Sequence, residues 1–144
     1  MKFSFFGDSN ALSEAKSKLK AIDRSQAVIE FDLDGKILTA NENFLKTMGY
    51  ELDEVLGQSH SMFVDDEYKK SDEYKNFWAL LKRGDFQSAI YRRLGKNGRE
   101  VWIRATYNPI MNTRGKPYKV IKFATDITEQ KNRNAEYEGQ VKAI

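Results

Sequence analysis

Two stretches decide the fold: residues 27–50, AVIEFDLDGKILTANENFLKTMGY, and residues 120–131, VIKFATDITEQK. In the first, Ala27, Ile29, Phe31 and Leu33 alternate with Val28, Glu30 and Asp32, the period-two pattern of a half-buried strand. Asp34-Gly35 follows, a dipeptide tolerant of positive φ at both positions, which predicts a two-residue hairpin turn and a return strand over residues 36–40. Asn41 then caps a short helix that turns Phe44, Leu45 and Met48 inward and stops at Gly49. The second stretch is an apolar strand closed by Asp126-Ile127-Thr128, with a charged helical tail behind it.

Working outward, Leu12, Ala15, Leu19 and Ile22 share one face of a helix over residues 10–22, which is expected to cover a sheet. A second short helix turns Leu52, Val55 and Leu56 inward and ends at Gly57. Residues 58–70 show no periodicity and read as a loop with one helical turn. Ser71 caps a stronger helix with Asp72 and Glu73 in its first turn and Lys82 and Arg83 in its last, charges that complement the helix dipole; its inner face is Tyr74, Phe77, Trp78 and Leu81. Strands follow over residues 86–94, 99–109 and 117–127, with an Asn97-Gly98 turn between the first two. The order ββ, short helices, βββ predicts an α+β fold: one five-stranded antiparallel sheet with helices gathered on one face. A flanking helix is expected within residues 1–25 and a connector helix over residues 129–144.

The bulk properties fit one domain with flanking helices: 144 residues, 40% hydrophobic and 31% charged. The longest apolar runs are too short to span a membrane, and MKFSFFG is too short for a signal peptide, so the expected location is cytoplasmic. A net charge of +3 from 24 basic and 21 acidic residues, dispersed along the chain, lacks the basic stripe that nucleic acid requires. Without cysteine there is no disulfide, thiolate nucleophile or Cys-based metal site, and one histidine, His60, cannot build a multi-histidine centre. No Gly-rich phosphate loop or nucleophile–base spacing is present, and Asp65-Asp66 reads as solvated charge, so the chain is not expected to be an enzyme.

Beyond the last strand, Ile127, Gln130, Asn134, Tyr137, Val141 and Ile144 recur at spacings of three and four. That is the seam of a short coiled coil, and a solvated single helix fits the same residues. LKAI at residues 19–22 returns as VKAI at residues 141–144, an offset of 122 residues, as though a second module followed in a longer chain.

Taken together, AVIEFDLDGKILTANENFL, MGYELDEVLGQSHSMF, FWALLKRGDF, RRLGKNGREVWIRATYNPI and YKVIKFATDIT resemble a PAS domain over residues 26–128. The likeness is to the PAS domains of methyl-accepting chemotaxis transducers of the energy- and aerotaxis type, which carry tandem PAS modules. The resemblance implies a sensory input domain whose helices and inner sheet face enclose a pocket, with Asp126 and Thr128 at the exit into the C-terminal helix. It also implies a homodimer and a signalling domain further along the same chain. Heme b, FAD or no cofactor at all are each compatible with it, although the lack of cysteine excludes flavin–cysteine photochemistry. Trp78 is the residue to stack on a flavin, and His60 the one imidazole for a heme iron. Phe77, Arg92 and Asn108 complete the candidate set, while the facing of Arg104 and Trp102 stays open. Each has a plainer reading: Phe77 and Trp78 as core, His60 as a loop residue, Arg92 and Asn108 as surface, Asp126 and Thr128 as a strand end and helix cap. Two other functions fit the same fold, a ligand-free dimerisation module and the input domain of a histidine kinase or nucleotide cyclase.

Overall fold

The computed structural model describes residues 5–143, with side chains over residues 9–136. The chain runs through helix α1 (Phe5–Ser25), strands β1 (Ala27–Phe31) and β2 (Ile37–Ala40), and short helices α2 (Glu42–Met48), α3 (Leu52–Val55) and α4 (Asp66–Lys69). Helix α5 (Asp72–Arg83), strands β3 (Gln87–Leu94), β4 (Glu100–Met111) and β5 (Pro117–Asp126), and helix α6 (Thr128–Ala143) complete it. The strands form one antiparallel sheet in the order β2-β1-β5-β4-β3. This is the expected α+β architecture, and it brings the two segments quoted first into register at the sheet centre, Ile29 opposite Lys122 and Phe31 opposite Val120.

Alternation sets the two faces of the sheet. Ala27, Ile29 and Phe31 of β1, Val120, Lys122 and Ala124 of β5, and Val101, Ile103, Ala105 and Tyr107 of β4 are buried beneath the helices. Trp102, Arg104, Thr106 and Asn108 alternate with them and occupy the opposite face. That settles the facing of Trp102 and Arg104.

The helices are placed by their caps. Asn41 Oδ1 accepts from Phe44 N–H and from Val28 N–H, each 2.9 Å, so one side chain both starts α2 and ties it to β1. Ser71 Oγ accepts from Tyr74 N–H at 3.1 Å and Gly84, at φ 105°, ends α5 as expected. Tyr74, Phe77 and Leu81 of α5 face the sheet, with Phe77 edge-on to Tyr107 at 4.8 Å between ring centroids.

Four expectations are corrected. The β1–β2 connection is a five-residue loop, Asp32–Lys36, because Asp32 Oδ1 accepts from the N–H groups of Asp34 and Lys36, both at 2.9 Å, and only Gly35 takes positive φ (85°). The Asn97-Gly98 turn does use positive φ at both positions, 64° and 75°. Residues 58–70 hold a 3-10 turn at His60–Phe63 and helix α4, each started by a side-chain cap, Ser59 and Asp65. In α3 only Val55 is buried, and Leu52 and Leu56 stay exposed because one turn has a single inward position. Helix α1 starts earlier than the apolar pattern, and Leu12 (57% exposed) and Leu19 (54%) cover no sheet in this chain. Of the heptad positions, Gln130 and Asn134 lie in α6 and Ile127 just before it, whereas the side chains of Tyr137, Val141 and Ile144 lie outside the described residues.

Candidate functional site

A chain of buried polar groups crosses the space between helices and sheet. The stretch after α3 is held like an extra strand against β2: Ile37 N–H donates to Gln58 O at 2.8 Å and Gly57 N–H to Ile37 O at 3.0 Å. His60 N–H then bonds Gly35 O at 2.8 Å, which drives the imidazole inward to complete burial. Its Nδ1 lies 2.7 Å from Tyr74 Oη on α5 and its Nε2 2.9 Å from Tyr107 Oη on β4. Arg93 Nη2, from β3, donates to the same Tyr107 oxygen at 3.1 Å. Lys122 Nζ, from β5, sits 4.8 Å from the Tyr107 ring centroid and 5.6 Å from that of Phe44.

A guanidinium can only donate, so the Tyr107 oxygen accepts from Arg93. In the neutral imidazole one nitrogen donates to a tyrosine oxygen and the other accepts a tyrosine O–H. Electrostatics favour the neutral imidazole: burial, reinforced by the Arg93 and Lys122 charges, holds His60 well below the usual imidazole range. For Tyr107 burial acts upward, but Arg93 and Lys122 outweigh it and the phenol falls below its ordinary value. Burial lowers the Lys122 ammonium. The same effect pushes Tyr74 up to about 12. Neither Arg93 nor Lys122 pairs with a carboxylate among the described residues.

The candidates from the sequence separate into those at this centre and those away from it. His60 and Phe77 are central, their rings 6.2 Å apart. Trp78 is half-buried, 5.3 Å from the His60 ring, with its indole over Gly35. Arg92 is exposed and tied to Glu100 (2.6 Å) and Asp65 (3.2 Å). Asn108 points to the outer face and donates to Ile121 O at 3.2 Å, because β4 turns its odd-numbered residues inward. Four central residues were not singled out from the sequence: Tyr74 for its hydroxyl, Arg93, Tyr107 and Lys122. Alternation carried a signal for two of them, since Tyr107 continues Val101–Ile103–Ala105 and Lys122 interrupts Val120–Ala124.

These residues do not fit a heme held by His60, because both ring nitrogens are already engaged by tyrosine hydroxyls inside a closed aromatic shell. A flavin meets a different environment. Trp78 lines a cleft of about 480 Å³ with Leu33, Asp34, Tyr74, Lys69, Lys75 and Lys82, the last paired with Asp34; the indole and the Lys69 and Lys75 ammonium groups suit a flat ring carrying phosphate. Gly35 packs directly against the indole: a Cβ there would stand 3.2 Å from Trp78 Cζ2, at a backbone φ of 85°. Gly35→Ala is therefore expected to cost about 1–3 kcal/mol and to shift the Trp78 fluorescence maximum; an unchanged unfolding midpoint and spectrum would contradict this packing.

At the end of β5, Asp126 Oδ1 accepts from Thr128 N–H (2.9 Å) and Thr128 Oγ–H (2.6 Å). Thr128 Oγ1 in turn accepts from Trp102 N–H at 2.9 Å, and Ile127 N–H donates to Trp102 O at 2.8 Å. The first turn of α6 is thereby tied to β4.

Comparison with known proteins agrees with this architecture. The PAS fold family matches residues 37–124, and the chain belongs to that family. It is 45% identical over 120 residues to a biofilm dispersion protein of Pseudomonas aeruginosa, covering 83% of this chain and 29% of that protein. It is 32% identical over 99 residues to the aerotaxis receptor of Escherichia coli, covering 69% of this chain and 19% of the receptor. A blue-light-activated histidine kinase of Brucella canis is 29% identical over 142 residues, covering 87% of this chain and 28% of the kinase. The chain thus spans less than a third of each of these relatives. Among solved structures, the PAS domain of a Colwellia psychrerythraea protein superimposes with a TM-score of 0.68 at 24% identity, over 80% of this chain and 98% of that one. An RNA-binding light-oxygen-voltage receptor gives 0.71 at 24% identity, over 93% of this chain and 39% of the receptor. At that identity the likeness is one of fold.

Proposed function

We propose that this chain is the sensory input domain of a chemoreceptor-type signal transducer, which turns a change at the buried His60–Tyr107 centre into a change at the start of α6. One observation carries the reading: β4 bears Tyr107 in the core and Trp102 beside Thr128, so a single strand touches both the buried polar chain and the exit helix. A sheet strand is stiff, and a shift at one position moves the next. The names of two relatives, an aerotaxis receptor and a biofilm dispersion protein, support a role in signalling. In this reading the domain works as a cytoplasmic homodimer without nucleic acid or membrane insertion, and hands its signal to a later domain of the same chain. No described helix is long and apolar enough to cross a membrane. The domain itself catalyses nothing. The kinase relative supports a second output, in which the same domain feeds a histidine kinase.

A flavin bound in the Trp78 cleft would supply redox chemistry. Trp78 would stack on its ring, and Lys69 and Lys75 would hold its phosphates.

Thr128→Val tests the connection, since it keeps the shape of the side chain and removes its hydroxyl. The expected result is a stability loss of about 1 kcal/mol, typical of a lost intramolecular hydrogen bond, together with loss of stimulus response in the full-length transducer. Glu129→Gln, one exposed residue further on, is expected to respond normally. A Thr128→Val transducer that still responds would remove the proposed path.

A further inference from the structure

Arg93 is a buried cation that cannot relieve its own burial. Lys122 and His60 can each release a proton, but a guanidinium stays charged at any pH a protein survives. Arg93 is 2% exposed and pairs with no carboxylate among the described residues. Its Nη1 donates to Arg92 O (3.1 Å), its Nη2 to Tyr107 Oη (3.1 Å), and its face lies 4.6 Å from the Tyr91 ring centroid. Its Nε is buried with no hydrogen-bond partner. Burying a charge without a counter-charge, and an N–H without an acceptor, are two of the costliest arrangements in a protein interior, so each asks for an explanation.

Both costs would be met by one anion. Arg93 lines a cleft of about 330 Å³ between β3 and the segment leading into α4, whose other walls include Val64, Tyr68, Ala89, Ile90 and Tyr91. The volume lies at the small end of ligand sites. Val64, Tyr68, Ala89, Ile90 and Tyr91 offer apolar and aromatic surface to a flat body, while Asp65, Glu73, Arg92 and Arg93 make the rest of the lining polar. Two acids stand at the rim: Asp65, already taken by Arg92, and Glu73, which is exposed. Their negative charge selects against polyanions. We propose that the Arg93 cleft binds a small organic monocarboxylate, its carboxylate on the guanidinium and its apolar body between Tyr68 and Tyr91. A carboxylate taking Nε and a neighbouring Nη is the arrangement in which arginine binds anions best.

This inference deepens the sensory role proposed above and rests on it only for its consequence. The anion would compete with the Tyr107 oxygen for the guanidinium. Tyr107 is the link to His60 and to β4, so ligand binding and the exit helix would share one hydrogen-bond chain.

The test uses benzoate and its neutral counterpart benzamide, titrated into the purified chain while amide resonances of residues 64–68 and 89–93 are followed. Benzoate is expected to shift them saturably and benzamide to bind at least tenfold more weakly. Arg93→Gln should weaken benzoate at least tenfold, and Lys116→Gln, in the exposed β4–β5 turn, should leave it unchanged. Ala89→Phe, a filled cleft at an exposed strand position, should abolish binding without touching the core. Equal binding of benzamide, equal binding of inorganic phosphate, no saturable benzoate shift, or full binding by Ala89→Phe would each overturn the assignment. Should Arg93→Gln fail to fold, the benzoate–benzamide contrast and Ala89→Phe still decide. Failure here with Thr128→Val still silencing the transducer leaves the sensory role intact; success here with a responsive Thr128→Val keeps the site and removes the path.

Discussion

As pH falls below 6.5, the folded domain should lose up to about 1.4 kcal/mol of stability per pH unit, and His60→Gln should flatten that slope. The unfolded chain takes up a proton near the ordinary histidine value of 6.5, whereas burial and the Arg93 and Lys122 charges keep the folded imidazole neutral well below it. The unfolded state therefore binds more protons in this window, and stability rises with pH. The contribution is complete above 6.5 and is lost as pH drops toward the folded value; one pH unit corresponds to about 1.4 kcal/mol. Glutamine can donate to one tyrosine and accept from the other, but it does not titrate. The two carboxylates held low by their basic partners, Glu54 and Glu100, titrate below the ordinary carboxylate range, so they leave the upper part of the window to His60. Denaturant midpoints measured in steps from pH 7 to pH 5 provide the check. An identical slope in His60→Gln would mean that the imidazole is not held neutral by this environment.

The sheet was largely legible from residue order because its elements are punctuated by local chemistry. Asn41, Ser71, Gly84 and Asn97-Gly98 each force one backbone conformation through a cap or a positive φ, and each does so in the structure. Asp34-Gly35 misled for the same kind of reason: the carboxylate two residues earlier captured the backbone N–H groups and made a longer loop. The site was less legible. His60 reads as a loop residue because its polar neighbours Gln58, Ser59 and Ser61 give no apolar period. Only the pairing of residues 57–58 with β2 and of His60 with Gly35 turns it inward, and those contacts are non-local. Arg92 and Arg93 are adjacent, and strand alternation requires one to face in. Which one depends on the register of β3 against β4, where Arg93 stands opposite buried Val101. Arg92 and Asn108 were reasonable polar candidates that this register sends outward.

Lys122→Met should raise stability by about 1–3 kcal/mol, on the scale seen when buried charges are replaced by apolar residues of similar volume. For a chain of this length that is roughly 4–10 °C in the unfolding midpoint. Lys122 is 1% exposed and has no carboxylate partner among the described residues. At neutral pH it either buries an ammonium with no counter-charge beside it or gives up a proton, and both cost free energy. Methionine is also unbranched and can follow the path of the lysine stem between Phe44 and Tyr107. The lost attraction between ammonium and ring faces, about 0.5–2 kcal/mol, offsets part of the gain. A second readout separates charge from packing: with one of its two cations gone, Tyr107 should titrate at higher pH in alkaline absorbance. A less stable Lys122→Met would show that the ammonium is better satisfied than this geometry indicates. A more stable variant that no longer signals would instead explain why an apolar strand carries a lysine at its centre: the charge is kept at the expense of stability because it holds Tyr107, and through it His60, ready to respond.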